Sequence, residues 1–462
     1  MSRSTSRRAA TLRSWQHAAQ AMPRIVASAV RHGMLPAGLS TANTLHREGV
    51  AQLHWKALGD GLVRFLRHAG PVFTKFGQIL ATRPDLLPPA FCARLESLYA
   101  EQAPMSRRQL ARALRSAYGP KHPFRTFEAK PMAVGSIGQV HRARLESGEA
   151  AIVKILRPDV GQKIERDLAV AAVLMDVFFS AGRSRRAGRV LLAQCLDDLA
   201  RGYAQEVDLA HEAAALRTFA RSFEKNPNVC VPRCYDHLSS SSVLVMEELV
   251  GEPLSSYRRR AVRDPKADQR IANLALSEIL KQIFEDGRFH ADPHAGNLLV
   301  LEDGRLGIID LGLTGELSRD DRRRIVRAVK AFLTRDAEGL LRTLLEFGVT
   351  PPDFDEARFQ ADVVDVVRTN AGGVASQLRG RRGAPDSGET PNSLEAFVTA
   401  LFRVATDHGV CVPPATTLLI KTLVTIEGVA RSLDPELNLT SVAAPVLLRA
   451  ATPRWIKRVL GV

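Results

Sequence analysis

The chain has 462 residues, 45% hydrophobic and 24% charged, enough to bury a large core and to fill two or three domains. Its 64 Lys and Arg against 49 Asp and Glu leave a net charge of +15, and no apolar run reaches the ~20 residues that a membrane-spanning helix needs. Five scattered cysteines without metal-ligand spacing argue against a disulfide scaffold and a zinc site, and point to a reducing compartment.

No acidic residue precedes Glu48, whereas Arg3, Arg7, Arg8, Arg13, Arg24, Arg31 and Arg47 all fall in that stretch. Such a segment suits a transit peptide, a basic arm for anionic lipid, a nucleic-acid tail or a solvated leader. Residues 1–50 are read as a basic flexible leader, and residues 51–120 as a helical extension broken at Gly70-Pro71 and from Pro84 to Pro89. From Phe124, short alternating runs, glycines and a Glu146-Ser147-Gly148 turn predict strand, loop, strand, turn, strand. Helical texture follows from Gly161 to Phe223, and VLVMEEL, Val243 to Leu249, reads as a buried strand. Residues 121–250 thus make a small β-rich lobe with a helical insert.

Residues 251–462 read as a larger helical lobe. In IANLALSEILKQIFEDG the apolar residues Leu276, Ile279, Leu280 and Ile283 recur at helical spacing, and Gly287 is the stop. Leu298–Leu301 and Leu306–Ile309 flank a Glu-Asp-Gly turn and predict a hairpin. Thr369 to Ser393, rich in Gly, Arg, Pro and Ser, reads as a mobile loop, with Asn392 and Glu395 as a cap for the next helix. Near the C-terminus Arg449, Arg454, Lys457 and Arg458 accompany Trp455 and Leu460, a pattern suited to lying on a membrane surface.

The chemistry concentrates in RFHADPHAGNLLVLEDGRLGIIDLG, Arg288 to Gly312. Asp292 and Asn297 fit an H-x-D-x-x-x-x-N catalytic loop, and Asp310 follows the hairpin in Asp-Leu-Gly. Phosphoryl transfer from ATP needs a phosphate cover, a lysine with a carboxylate partner, metal ligands and a group that positions the acceptor. Asp292 would orient or deprotonate the acceptor. Asn297 and Asp310 would hold Mg²⁺, whose hard charge takes amide and carboxylate oxygens. His290 would brace the loop. A competing reading takes His290, Asp292 and His294 as a transition-metal triad, but leaves Asn297, the hairpin and Asp310 without a task. Lys154 ends the apolar strand AAIVK, just after a glycine-containing loop, where an ammonium suits a nucleotide's phosphates. Glu212, on a downstream helix, is its candidate partner. Taken singly, Lys154 reads sooner as an edge-strand surface lysine, and Glu212 sooner still as a surface glutamate.

Several segments together resemble the UbiB/ADCK family of atypical protein-kinase-like proteins, linked to ubiquinone (coenzyme Q) biosynthesis. They are KFGQILATRPDLLPP, AVGSIGQVHRARL, EVDLAHEA, HADPHAGNLLV with IIDLG, and LIKTLVTIEGVARSLDP. The resemblance implies an α+β, two-lobed protein-kinase-like fold with an N-terminal helical extension packed over the active site. It implies that Lys154 and Glu212 pair and act with Asp292 in catalysis. ATP would be bound by Ala133, Val134, Gly135, Ser136, Ile137, Gly138, Gln139 and Val140, with Lys154, Glu247 and Leu249. Lys75 would pair with Glu206, and these residues with Gln78 and Asp208 would form a regulatory lid. Gly135 and Gly138 depart from the family's loop, which has alanines there. Ala295 replaces its proline, Ala100 an aspartate, and Ala215 an asparagine.

The expected function is therefore an ATP- and Mg²⁺-dependent phosphotransferase or ATPase that supports isoprenoid-quinone synthesis. The expected place is a membrane surface, peripheral to a bacterial inner membrane or on the mitochondrial matrix side. The expected partners are ATP, a lipid or quinone precursor, anionic membrane and quinone-biosynthesis enzymes. Nucleic acid is not among them, since no recognised module accompanies the basic ends. Two alternatives are a catalytically silent nucleotide-gated scaffold and a small-molecule kinase of the aminoglycoside-phosphotransferase type, which lacks the KFGQ segment.

Overall fold

The structure is a computed structural model. It describes residues 103–179, 206–378 and 400–451, apart from 262, 335, 349, 351–353, 402, 406 and 411–413, with isolated positions within 60–97 and 200–203. The expected leader, Lys75, Gln78, the Asn392–Glu395 cap and the basic residues after Ala451 lie outside the described residues. The chain forms two compact units, one holding residues up to Ala213 and Cys234–Glu248, the other Ala214–Arg233 and the chain from Leu249 onward.

The first unit opens with helix α1 (Arg107–Tyr118), started by a reciprocal cap in which Ser106 and Gln109 each satisfy the other's backbone N–H. Strands β1 (Phe124–Phe127), β2 (Ala133–Val134), β3 (Gly138–Leu145) and β4 (Ala150–Leu156) follow, then α2 (Val160–Phe179). Helix α3 (Leu209–Phe223) starts in this unit and runs into the second, which also holds β5 (Val229–Cys230); the chain then returns with β6 (Val243–Glu247). The sheet order is β1-β3-β4-β6, antiparallel, with β2 on β3. The β3–β4 turn closes at Gly148, whose φ of 91° is the left-handed backbone that the Glu-Ser-Gly signal anticipates.

Strand periodicity divides this sheet into two faces. Ala143, Leu145, Ala151, Val153, Ile155, Val243 and Val245 point to a core shared with Met105, Leu110 and Ala113 around α1. Lys154 belongs to the opposite face, paired in register with Val140 on β3 and Leu244 on β6. The sequence reading of a buried strand here holds, although the strand ends at Glu247, before Leu249.

The second unit adds β7 (Gly251–Pro253), α4 (Leu254–Tyr257) and α5 (Pro265–Lys281), the last capped by Asp264. Leu276, Ile279 and Leu280 of α5 are buried as their spacing predicts. The helix then widens into a π turn over Gln282–Asp286, which buries Ile283, and Gly287 ends it at φ 78°. Next come β8 (Arg288–His290), β9 (Leu298–Leu301), β10 (Leu306–Ile308) and β11 (Thr314–Glu316). They form a four-stranded sheet in the order β5-β10-β9-β7 and a β8–β11 pair.

Helices α6 (Arg319–Thr334), α7 (Ala337–Phe347), α8 (Glu356–Leu378), α9 (Pro414–Leu433) and α10 (Leu439–Ala451) complete the unit. Helix α8 corrects one expectation: Thr369–Leu378 is helical, not loop. Gly372 and Gly373 cost a helix about 1 kcal/mol each, but Ala371, Ala375, Gln377 and Leu378 are good helix formers that carry it past them. Arg449, expected among residues for a membrane surface, donates to the Glu285 carboxylate at 2.9 Å. Among the described residues no helix is long and apolar enough to cross a membrane.

Candidate active site

In the first unit the ammonium of Lys154 lies 2.9 and 2.7 Å from the two carboxylate oxygens of Glu212. Both are sheltered, Lys154 at 16% and Glu212 at 3% side-chain exposure. β4 fixes the lysine's face, and α3 holds Glu212 in its first turn, where the helix dipole favours a carboxylate. That turn is itself anchored: Leu209 N–H donates to the Ser241 carbonyl, and Asp208 accepts from Ala210 N–H. Asp208, expected in a lid, stands at the helix start. Glu206 lies near the buried Tyr203, whose phenol is pushed up by burial and then by the Glu206 and Asp167 carboxylates.

The loop before β3 is braced at its ends. Gly135 N–H donates to the Gly138 carbonyl, Arg157 N–H donates to the Ile137 carbonyl, and the Arg157 guanidinium donates to the Gly135 and Ala103 carbonyls. Ala133 and Gly135 are exposed, and Val134, Ser136, Ile137 and Val140 half-buried. Gln139 is different. It is 1% exposed, its Oε1 accepts from Met105 N–H at 2.8 Å, and its Nε2 lies 2.6 Å from His141 Nε2. Its side chain is a core brace, a role hidden in a loop sequence because its partner is 34 residues away. Glu247 and Leu249 bracket the point where the chain passes from the first unit to the second.

In the second unit the catalytic-loop pattern is bound to itself. His294 N–H donates to the Asp292 carbonyl, Asn297 N–H to the His294 carbonyl, and Asn297 Nδ2 to the Asp292 carbonyl at 3.0 Å. The β9–β10 ladder pairs Leu298 with Ile308, and one more bond, Ile309 N–H to the Asn297 carbonyl at 3.1 Å, extends it. Asp310 therefore leaves the hairpin beside Asn297. Asp310 Oδ1 accepts from Gly312 N–H at 2.9 Å.

His290 is fully buried behind this loop. Its backbone N–H donates to Gln282 Oε1 of the π turn, while neither ring nitrogen meets full hydrogen-bond geometry. Burial lowers its pKa to about 4, against the opposing pull of Asp310, Asp292 and the nearby Leu313 carbonyl. The fully buried ring, with its backbone N–H bonded to the π turn, suits bracing of the loop. His294 Nδ1 is occupied by Gly296 N–H at 3.0 Å, and among the described residues no group of three or more His, Cys, Asp or Glu is arranged to hold a metal. The transition-metal triad has no support.

The donor set does fit magnesium. Asn297 spends its amide N–H on the Asp292 carbonyl, so its carbonyl oxygen would be the ligand atom, and Asp310 would add a carboxylate. Two hard oxygen ligands, with phosphate and water completing the shell, are what Mg²⁺ usually takes from a protein.

Sequence reading missed one contributor. Lys421 of α9 places its ammonium 3.0 Å from Asp292 Oδ1, and the neighbouring Thr422 hydroxyl donates to the Ala291 carbonyl at 3.1 Å. The signal was present in LIKTLVTIEGVARSLDP, but nothing in that string indicates which loop it meets.

An antiparallel sheet with a lysine clasped by a helix glutamate, and a helical unit with an H-x-D-x-x-x-x-N loop and hairpin aspartate, are the two halves of a protein-kinase-like α+β protein. Comparison agrees and is more specific. Residues 97–344 match the ABC1 atypical kinase-like domain, and residues 393–438 the UbiB helical domain. The chain is 32% identical to a probable protein kinase UbiB of Marinobacter nauticus over 413 residues, 87% of this chain and 71% of the relative. It is 31% identical to the protein of that name from Azotobacter vinelandii over 400 residues, 85% and 70% of the two chains. A solved structure described as the complex of Rv3197 with erythromycin, from Mycobacterium tuberculosis, is 22% identical with a TM-score of 0.47, covering 78% of this chain and 91% of that one. This chain belongs to the ABC1/UbiB family of atypical kinases.

Proposed function

We propose that this chain binds ATP with Mg²⁺, transfers or hydrolyses the terminal phosphate, and supports isoprenoid-quinone (ubiquinone) synthesis at a membrane surface. The observation that carries the reading is the sheltered two-oxygen pairing of Lys154 with Glu212. Burying an ion pair is a poor route to stability, so its worth lies in holding an ammonium still where a nucleotide's α- and β-phosphates bind. The exposed residues Ala133 and Gly135 cover those phosphates. Asp292 orients the attacking hydroxyl or water and takes its proton. Asn297 and Asp310 would hold Mg²⁺, which supplies positive charge to the phosphate oxygens as charge develops on them.

Membrane association is supported by the net charge of +15 and the acid-free stretch before Glu48, which favour an anionic surface. The quinone link rests on family membership. The test is ADP release by the purified chain, with Mg²⁺ or EDTA, and with or without anionic lipid vesicles. Mg²⁺-dependent release that rises with vesicles is expected. No nucleotide binding at millimolar ATP sinks the proposal, and unchanged quinone and precursor levels in cells lacking the protein sink its quinone role.

A further inference from the structure

We infer that Lys421, which lies in the UbiB helical domain outside the kinase-like domain, is a positioning residue for the phosphoryl-transfer centre: it fixes the Asp292 carboxylate. This rests on the role of Asp292 proposed above.

Two consecutive residues of α9 meet two consecutive residues of the catalytic loop, 129 and 131 positions earlier in the chain. Lys421 Nζ reaches Asp292 Oδ1, and Thr422 Oγ1 reaches the Ala291 carbonyl while sharing its proton with the Leu418 carbonyl one turn back. Thr422 is 0% exposed. With Leu419 and Ile426, both buried, it forms a stripe at i, i+3 and i+7 that packs on α5 and β11. The helix therefore cannot rotate or slide without breaking its core and the Thr422 bond. Lys421, one residue along from that stripe, is delivered to Asp292 by the register itself.

The contact is not there for stability. Lys421 is half-exposed, and exposed ion pairs contribute little to folding. Of the loop's two imidazoles, His294 holds its Nδ1 on Gly296 N–H and His290 is fully buried, whereas the Lys421 ammonium lies on the Asp292 carboxylate. A carboxylate that must aim an acceptor needs one rotamer, and small displacements of such a group cost large factors in rate. Lys421 supplies that constraint by holding Oδ1 of the Asp292 carboxylate.

The test uses the full chain, with Lys421→Ala, Lys421→Arg, Asp292→Asn and the Lys421→Ala/Asp292→Asn pair. Lys421→Ala should lower kcat roughly 10- to 100-fold with KM for ATP within about twofold, and Lys421→Arg should recover most of the loss. In the Asp292→Asn background Lys421→Ala should add nothing, as for residues acting as one unit. An unchanged kcat, a loss confined to KM, or full additivity overturns the inference. A second readout needs no turnover. Amine-reactive labelling of Lys421, mapped by mass spectrometry, should rise several-fold in Asp292→Asn and not in Asp310→Asn. Flat labelling overturns the contact. A wild-type chain with protected Lys421 but no Mg²⁺-dependent turnover instead overturns the phosphotransfer reading, and the positioning role falls with it.

Discussion

Lys154 Nζ contacts both carboxylate oxygens of Glu212 from 58 residues away, and the glutamate is almost wholly enclosed. Removing the ammonium strands a buried carboxylate. Lys154→Met should therefore destabilise the chain by about 3 kcal/mol, while Lys154→Met/Glu212→Gln, which removes the charge as well, should recover a large part of it. Urea unfolding of the single and double variants checks this. If the double variant loses the sum of what the two single variants lose, the pair is not coupled.

That pair shows which parts of the fold were legible. A lysine closing an apolar strand and a glutamate opening a helix were visible, but their meeting needed the β4 face and the α3 start to be placed together. The β9–β10 hairpin was legible because alternation and a Glu-Asp-Gly turn are local signals, and Gly304 takes φ 77° there. The buried face of α5 and its Gly287 stop were legible through helical period. The π turn at Gln282–Asp286 was not, because a single widened turn changes hydrogen bonding without changing the apolar pattern. The helical Thr369–Leu378 was obscured by composition. Gln139 and Lys421 were opaque for another reason: each owes its role to a partner that only the tertiary fold brings near.

Gly135 and Gly138, before and at the start of β3, are not equivalent. A Cβ on Gly135 would meet nothing closer than 3.6 Å, whereas one on Gly138 would stand 2.5 Å from the Ile155 carbonyl oxygen on the neighbouring strand. Gly135→Ala should leave stability within about 0.5 kcal/mol, and any effect on ATP affinity then reports the loop itself. Gly138→Ala must push β3 from β4 and should cost about 1–3 kcal/mol. Thermal unfolding and ATP titration of the two variants separate these outcomes. Equal stability losses would show that the β3–β4 spacing adapts to either methyl group.

His290 sets an acid limit. Burial first, against the pull of Asp310 and Asp292, lowers its pKa to about 4 in the fold, compared with roughly 6.5 in an unfolded chain. Between those values the unfolded chain binds more protons, so stability is lost as pH falls through this window and the loss levels off below it. The full loss is on the order of 3 kcal/mol. His290→Asn should lower stability at neutral pH through imperfect packing but flatten the slope between pH 6.5 and 4. Unfolding midpoints measured across that range decide it, and parallel curves for wild type and variant would reject the assignment.

On the proposed function Asp310 has two jobs that one substitution can separate. Its Oδ1 accepts from Gly312 N–H, and an asparagine oxygen can accept the same bond. The charge is the part it cannot replace. Asp310→Asn should therefore fold with near-normal stability yet lose at least about tenfold of the Mg²⁺-dependent gain in ATP affinity, since hard divalent cations select carboxylate oxygen. Asn297→Ala should act on the same quantity, but it also removes the Nδ2 bond to the Asp292 carbonyl and so should loosen the loop as well. Calorimetric titration with ATP, in Mg²⁺ and in EDTA, gives the comparison: the variants should converge on wild type when the metal is withdrawn. A variant Asp310→Asn that keeps the full Mg²⁺ effect would remove this aspartate from the metal site and leave it only its turn.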